Sequence, residues 1–294
     1  MKKFKLLAIA TMLSGTMILA ACANSTPTTT ATEAASDDFN AARQINVISR
    51  EEGSGTRGAF IELLGIEVDG IDHTYAEADI ANGTSVVVTT VAGNTYAIGY
   101  ISLGSLNDTV TAVPINGVPA TPETVQNGTY PVFRSFYLAA RELSDIAQDF
   151  LNFVLSTEGQ EIVASRGYIV VDSNAPAFSG SNPSGTVVVT GSTSVAPVME
   201  RLAEAYREIN PDAIVEVHSS GSGAGITAAI DGTADIGMSS RDLRAEELAS
   251  VDAVAMAHDG IAIIVNNDNP ITSLTPEEVR QMFTGSITQW SDLF

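Results

Sequence analysis

Ser49-Arg50-Glu51-Glu52-Gly53-Ser54-Gly55-Thr56-Arg57-Gly58-Ala59-Phe60 follows a short β-like run, Ile45 to Ser49, and opens a helical pattern with Ala59, Phe60, Leu63 and Leu64 on one face. A strand that ends in a Gly-Ser loop and starts a helix is suited to holding an oxyanion. The first helical turn leaves backbone N–H groups without partners, and a Ser or Thr hydroxyl beside them completes a cradle that needs no lysine. The same kind of junction recurs at Gly191-Ser192-Thr193-Ser194-Val195-Ala196-Pro197, between a run Thr186 to Thr190 and a helix over about 195–209. Taken alone, a Gly-Ser-Gly-Thr loop is more often a plain turn, and Thr193 or Ser194 more often a simple helix cap.

Working outward, strands and helices alternate: Ile214 to His218, a helix over 224–230, Asp235 to Ser239, then a buried strand at Ile261 to Val265. This alternation predicts βαβ units and a mostly parallel sheet. Tyr130 to Ala140 reads as a long extended run. Ser144 caps a helix carrying Ile146, Phe150 and Val154 on one face, and Ser156 starts another that ends near Gly167. Thr275-Pro276-Glu277-Glu278 is a capping box with proline at the first helical position. Residues 84–92 pull two ways, since Val86, Val87, Val88 and Val91 favour a strand by propensity. Asn174 to Gly185, rich in Pro, Ser and Gly, reads as an internal linker.

The N-terminus carries Lys2, Lys3 and Lys5, an apolar stretch from Leu6 to about Leu19, and Leu19-Ala20-Ala21-Cys22. That is a secretory signal over 1–21 rather than a span, because the stretch is short and broken by Thr11, Ser14, Gly15 and Thr16. Leu-Ala-Ala-Cys resembles a bacterial lipobox. Cys22 is the single cysteine, with no disulfide partner in the chain, and lipidation accounts for it; residues 22–44 then form a lipidated flexible tether. Three lysines belong to the signal, and the remaining eleven basic residues are all arginines, facing 35 acidic residues for a net −24. So acidic a chain does not bind nucleic acid, which requires clustered Lys and Arg. His73, His218 and His258 lack metal-ligand spacing, and no metal or cofactor is expected. Trp290 and Phe283 read as core.

Both Gly-Ser segments resemble the solute-binding protein of the bacterial phosphate ABC importer, a type II periplasmic-binding-protein-like family. Further marks are Asp231-Gly232-Thr233-Ala234-Asp235-Ile236-Gly237-Met238-Ser239-Ser240-Arg241, Asp259-Gly260-Ile261-Ala262, Phe283-Thr284-Gly285 with Trp290, and Ser156 to Gln160. In that family the Gly-Ser-Thr-Ser segment comes first and the Ser-Arg-Glu-Glu-Gly-Ser-Gly-Thr segment later, so this chain resembles a circular permutant. The resemblance implies an α/β fold of two lobes, 45–133 plus 265–294 and 141–258, joined by hinge crossings at 134–140 and 259–264. It also implies a helix over 84–92.

The resemblance further implies a phosphate site built from Arg50, Ser54, Gly55, Thr56, Thr193, Ser194, Ser222 and Ser240, with Glu52 orienting Arg50. Many relatives carry an aspartate where Ser240 stands. A carboxylate only accepts hydrogen bonds whereas a hydroxyl both donates and accepts, which leaves other tetrahedral oxyanions (sulfate, molybdate, tungstate) as an alternative. Arg241 either adds charge to the cleft or pairs with Asp242 or Glu246. A hydrolase or phosphatase needs an activated nucleophile with a base in reach, and no Gly-x-Ser-x-Gly elbow is present. The expectation is a monomeric, non-enzymatic lipoprotein on the extracytoplasmic face of the membrane. It captures inorganic phosphate for an ABC permease, or keeps the fold as a surface sensor or adhesin.

Overall fold

The computed structural model describes residues 39–293. The signal, Cys22 and most of the tether lie outside the described residues. The chain is already docked at Phe39, some residues before the expected end of the tether. Phe39 lies against Tyr96 and Trp290, and the Ile45 N–H donates to the Thr288 carbonyl at 2.8 Å. Among the described residues no helix is long and apolar enough to cross a membrane.

The first part of the chain runs through β1 (Asn46–Arg50), α1 (Gly55–Leu63), β2 (Glu67–Val68), β3 (Ile71–Asp72), β4 (Asp79–Ala81), α2 (Thr84–Ala92), β5 (Ala97–Ser102), β6 (Val110–Ala112) and α3 (Pro122–Gln126). Then come β7 (Phe133–Ala140), α4 (Asp145–Val154), α5 (Thr157–Ser165), β8 (Gly185–Gly191), α6 (Ala196–Ile209), β9 (Ala213–Ser219), α7 (Ser222–Asp231), β10 (Ile236–Ser239), α8 (Ala245–Leu248), β11 (Asp252–Asn266) and α9 (Pro276–Phe283). The main sheet is ordered β4-β1-β5-β11-β7-β10-β8-β9, with β6 also on β11.

Two large apolar cores lie along this sheet, with a small third cluster of Ala139, Ile226, Ala229 and Val251 under α7. One large core gathers Phe60, Tyr100, Ile263, Phe283 and Trp290, the other Phe136, Phe150, Met199, Leu202 and Tyr206. Trp290 and Phe283 are thus core residues. Strands are parallel within each lobe, β1 to β4 and β5, and β8 to β9 and β10. The centre departs from the parallel expectation. β7 and β11 pair antiparallel with each other, β11 with β5, and β7 with β10. The geometry requires it, since one strand carries the chain out of the first lobe and the other brings it back. β11 is one strand of fifteen residues, of which the sequence reading recognised only the part from Ile261.

The ambiguity over residues 84–92 resolves as helix. Thr84, Val87, Val88 and Val91 are its buried positions, a helical spacing that a strand's period of two cannot put on one face. The hydroxyls of Thr89 and Thr90 donate to the carbonyls of Ser85 and Val86, so these β-branched residues satisfy their polar groups within the helix. Burial of the valine face outweighs the small propensity penalty.

Candidate oxyanion site

Four helix starts converge where the two lobes meet, and the local sequence explains each. Ser54 caps α1, its hydroxyl accepting from the Arg57 N–H at 3.3 Å. Glycines at φ +104 (Gly83) and +93 (Gly221) turn the chain into α2 and α7, a backbone region open to glycine and strained for other residues. The Ser192 carbonyl accepts from Ala196 N–H at the head of α6. α7 sits at backbone distance from the sheet: a Cβ on Gly225 would lie 2.5 Å from Gly191 Cα, and one on Gly237 2.6 Å from the Gly225 carbonyl oxygen. These glycines let Ser222 reach Ser240, whose N–H donates to the Ser222 hydroxyl at 3.1 Å.

Arg50 ends β1 with 1% of its side chain exposed. Its Nε and Nη2 donate to the two carboxylate oxygens of Glu51, each at 2.8 Å, a planar fork that fixes the guanidinium. This corrects the expected partner. Glu52 lies in the turn and is exposed, whereas Glu51 faces the arginine and also accepts from the Gly83 N–H at 3.1 Å. Burial alone would raise the Glu51 pKa, but the hydrogen bonds and charge of Arg50, with N–H donors from its own backbone and Gly83, carry it below the usual carboxylate range.

From that anchored position Arg50 Nη2 reaches Thr193 Oγ1 of the other lobe at 2.9 Å, and Nη1 lies 3.4 Å from Thr84 Oγ1. Thr56 and Ser194 share a hydrogen bond of 2.9 Å across the same junction, and Thr84 Oγ1 lies 3.1 Å from Thr193 Oγ1 and 3.3 Å from Ser194 Oγ. On the other side the Gly223 N–H donates to the Gly53 carbonyl at 3.0 Å. A Cβ on Gly55 would collide with Ser222 Oγ and fall 2.7 Å from Ser240 Oγ. The sequence-nominated residues therefore gather in one place. Arg50, Thr56, Thr193 and Ser194 form one hydrogen-bonded cluster, and Gly55, Ser222 and Ser240 a second contact beside it. Ser54 is buried and occupied as a cap. Among the described residues the Gly55 and Thr56 N–H groups have no acceptor.

Sequence reasoning missed Glu51 and Thr84. Thr84 is 5% exposed and joins three members of the cluster. Its signal was present in Asn82-Gly83-Thr84-Ser85, one more glycine–hydroxyl helix start. Arg241 pairs through two bonds with Glu247, at 2.7 and 2.8 Å, rather than with Asp242 or Glu246, and its hydrogen bonds, then its charge, hold the Glu247 pKa low. His258 Nδ1 lies 2.9 Å from Ser135 Oγ, a structural contact. Among the described residues no group of three or more His, Cys, Asp or Glu could hold a metal ion.

At the crossings β7 and β11 place Arg134 opposite Asp259. Asp259 Oδ2 accepts from Arg134 Nε at 3.3 Å and Nη2 at 3.1 Å, and Oδ1 accepts from the Ser102 hydroxyl at 2.9 Å. Arg134 Nη1 is buried without a partner. Burial pushes the Asp259 pKa up to about 6, against the pull of Arg134 and Ser102.

Two lobes on a shared sheet, two strands crossing between them and a polar cluster drawn from both define the two-lobed fold of a periplasmic-binding-protein-like chain. The chain belongs to the PBP superfamily: the family model described as PBP superfamily domain matches residues 8–158 and 176–294. It is 44% identical over 304 residues to a Streptococcus agalactiae protein named phosphate-binding protein PstS 2, covering 100% of this chain and 99% of that one. The crystal structure of a phosphate ABC transporter's phosphate-binding protein from Streptococcus pneumoniae TIGR4 superposes with a TM-score of 0.70 at 46% identity, covering 86% of this chain and 100% of that one. Similarity to the Bacillus subtilis phosphate-binding protein PstS is 34% over 115 residues, only 37% of this chain and 38% of that one.

Proposed function

We propose that this protein captures inorganic phosphate between its lobes and delivers it to an ABC permease, without catalysing a reaction. The observation that carries the reading is the cross-lobe cluster, a fork-held buried arginine ringed by hydroxyls from both lobes. Arg50 has an Nη1–H beyond its contact with Thr84, Gly55 and Thr56 offer N–H groups at a helix start, and the surrounding hydroxyls can donate to an anion's oxygens. Calorimetric titration with phosphate and sulfate tests this. Phosphate should bind with one site per chain, and a protein that takes up neither anion contradicts the proposal. A second reading, a site for other tetrahedral oxyanions, is favoured by Ser240. Its hydroxyl does not repel sulfate as a carboxylate would, so sulfate binding as tight as phosphate selects that reading.

We further infer that the chain order is circularly permuted. Residues 41–45 and 288–291 run side by side, with Ser291 N–H donating to the Ala41 carbonyl at 2.7 Å and Gln44 bridged to Gln289. Joining the two ends there and cutting at the 174–185 linker restores the order of the phosphate-binding family, as termini lying close together permit. The short match to the Bacillus relative is what a permuted chain gives when aligned in order. Cys22, outside the described residues, is proposed to carry lipid that holds a monomer at the extracytoplasmic face of the cell membrane, since several acyl chains anchor far better than one. Cys22→Ser should release the protein or leave an unprocessed precursor; retention and processing like wild type in membrane fractionation would exclude the anchor.

A further inference from the structure

A cavity of about 710 Å³ opens beside the cluster. Its floor is shared with the site, because Thr84 and Thr193 both line it and both contact Arg50. Its walls come from both lobes, α2 and Ser105 on one side, Arg166 and the α6 residues Pro197 and Glu200 on the other. Separation of the lobes would therefore widen this cavity into the site.

The charges around the cleft are unevenly committed. Arg50, Arg57 and Arg241 each sit within 2.8 Å of a carboxylate, on Glu51, Asp72 and Glu247. Arg166 follows the last turn of α5, is exposed, and has no ion pair among the described residues. In a chain with so large an excess of acidic residues, an uncompensated cation on this wall is a local attraction for an anion. Glu200 on the same cavity acts in the opposite sense.

We propose that this cavity is the approach by which the anion reaches the cluster, and that Arg166 accelerates its capture. The inference rests on the phosphate reading above. Arg166 acts on the incoming anion, so its charge belongs in the association rate and its salt dependence, while dissociation is governed by the cluster. A unit charge acting on a dianion at about 10 Å in screened water changes the encounter rate by about two- to fourfold at low salt.

The test is stopped-flow mixing of the purified protein with phosphate, read by a fluorophore on Val86→Cys in a Cys22→Ala background, with affinity measured separately by calorimetry. Arg166→Gln should slow association about two- to fourfold at low salt, with the difference fading at high salt and dissociation unchanged. Arg166→Lys should restore the rate, and Glu200→Gln should raise it. Arg166→Gln associating at the wild-type rate, or slowed equally at every salt concentration, overturns the proposal. Wild-type protein that binds no phosphate sinks the functional reading and this inference together, whereas normal affinity with an indifferent Arg166 sinks this inference alone.

Discussion

Two arginines are almost wholly buried beside a carboxylate, and their settings differ. Arg50 stands at the end of β1, its partner Glu51 is 22% exposed, and its remaining donors reach hydroxyls of the other lobe. Arg134 lies within the crossing strands with 3% of its side chain exposed, and its partner Asp259 is fully enclosed. The Glu51 pKa falls below its ordinary value, whereas that of Asp259 rises to about 6. An arginine–carboxylate pair thus supports a polar cluster in one place and ties the crossings together in the other, because water reaches one carboxylate and not the other.

The largest expected effect comes from breaking the enclosed pair. Arg134→Met leaves Asp259 buried without its cation and should cost about 3–5 kcal/mol of stability in urea unfolding at pH 7.5. The loss should shrink at pH 5, where Asp259 can take up a proton. In the wild-type protein Asp259 contributes in the same sense. Its folded pKa is raised above its ordinary 3.8, so its contribution is present below about pH 4 and lost as pH rises to about 6. Glu51 has the opposite sign: its contribution is present above its ordinary 4.5 and lost as pH falls through its lowered folded value. Asp259→Asn should therefore remove a fall in stability between about pH 4 and 6, and a slope unchanged by that substitution would contradict the role given to Asp259.

Arg50→Ala should act on binding. Loss of its charge-assisted bonds should weaken phosphate by about 1.5–3 kcal/mol, with Arg50→Lys recovering only part. Stability should fall less than in Arg134→Met, since Glu51 keeps contact with water and with the Gly83 N–H when its cation is removed. A folded Arg50→Ala protein with wild-type affinity would remove the arginine from the site.

Gly55→Ala sharpens the contrast from a third direction. Its helical backbone accepts alanine, but the new Cβ meets Ser222 and Ser240 of the opposite lobe. Affinity should fall by about 1–3 kcal/mol with little change in melting, as overpacking a close contact implies. Unaltered affinity would mean that the lobes need not approach so closely when the ligand binds.

These contrasts also mark what was legible in the sequence. The α/β alternation, the caps at Ser144, Ser156 and Thr275, and the helix starts were readable because each depends on neighbours within a few positions, whereas Ser54, expected as a ligand, is engaged as the cap of α1. The choice between Glu51 and Glu52 was not, since it turns on which side of a glycine turn each adjacent carboxylate falls. Nor was the full length of β11. Its first half, Asp252 to His258, alternates alanine with other residues and becomes a strand by lying against β7, a pairing far away in sequence. Thr84 was hidden because its partners Arg50, Thr193 and Ser194 lie far away in sequence and meet it only in the folded chain.

The smallest effect is expected at position 240. Ser240→Asp places a carboxylate where it can accept from a protonated phosphate oxygen but repels sulfate. The phosphate-to-sulfate affinity ratio should rise, most where phosphate retains a proton, and paired titrations at two pH values read it. A ratio indifferent to the substitution would take Ser240 out of the ligand shell.

The most direct test of the account is diffraction from crystals soaked with arsenate, which matches phosphate in shape and charge and scatters anomalously. An anomalous peak is expected between the lobes, within hydrogen-bond distance of Arg50, the Gly55 and Thr56 N–H groups, and hydroxyls of the Thr193-Ser194 and Ser222-Ser240 segments. A peak elsewhere on the molecule, with the cross-lobe cluster undisturbed, would contradict it.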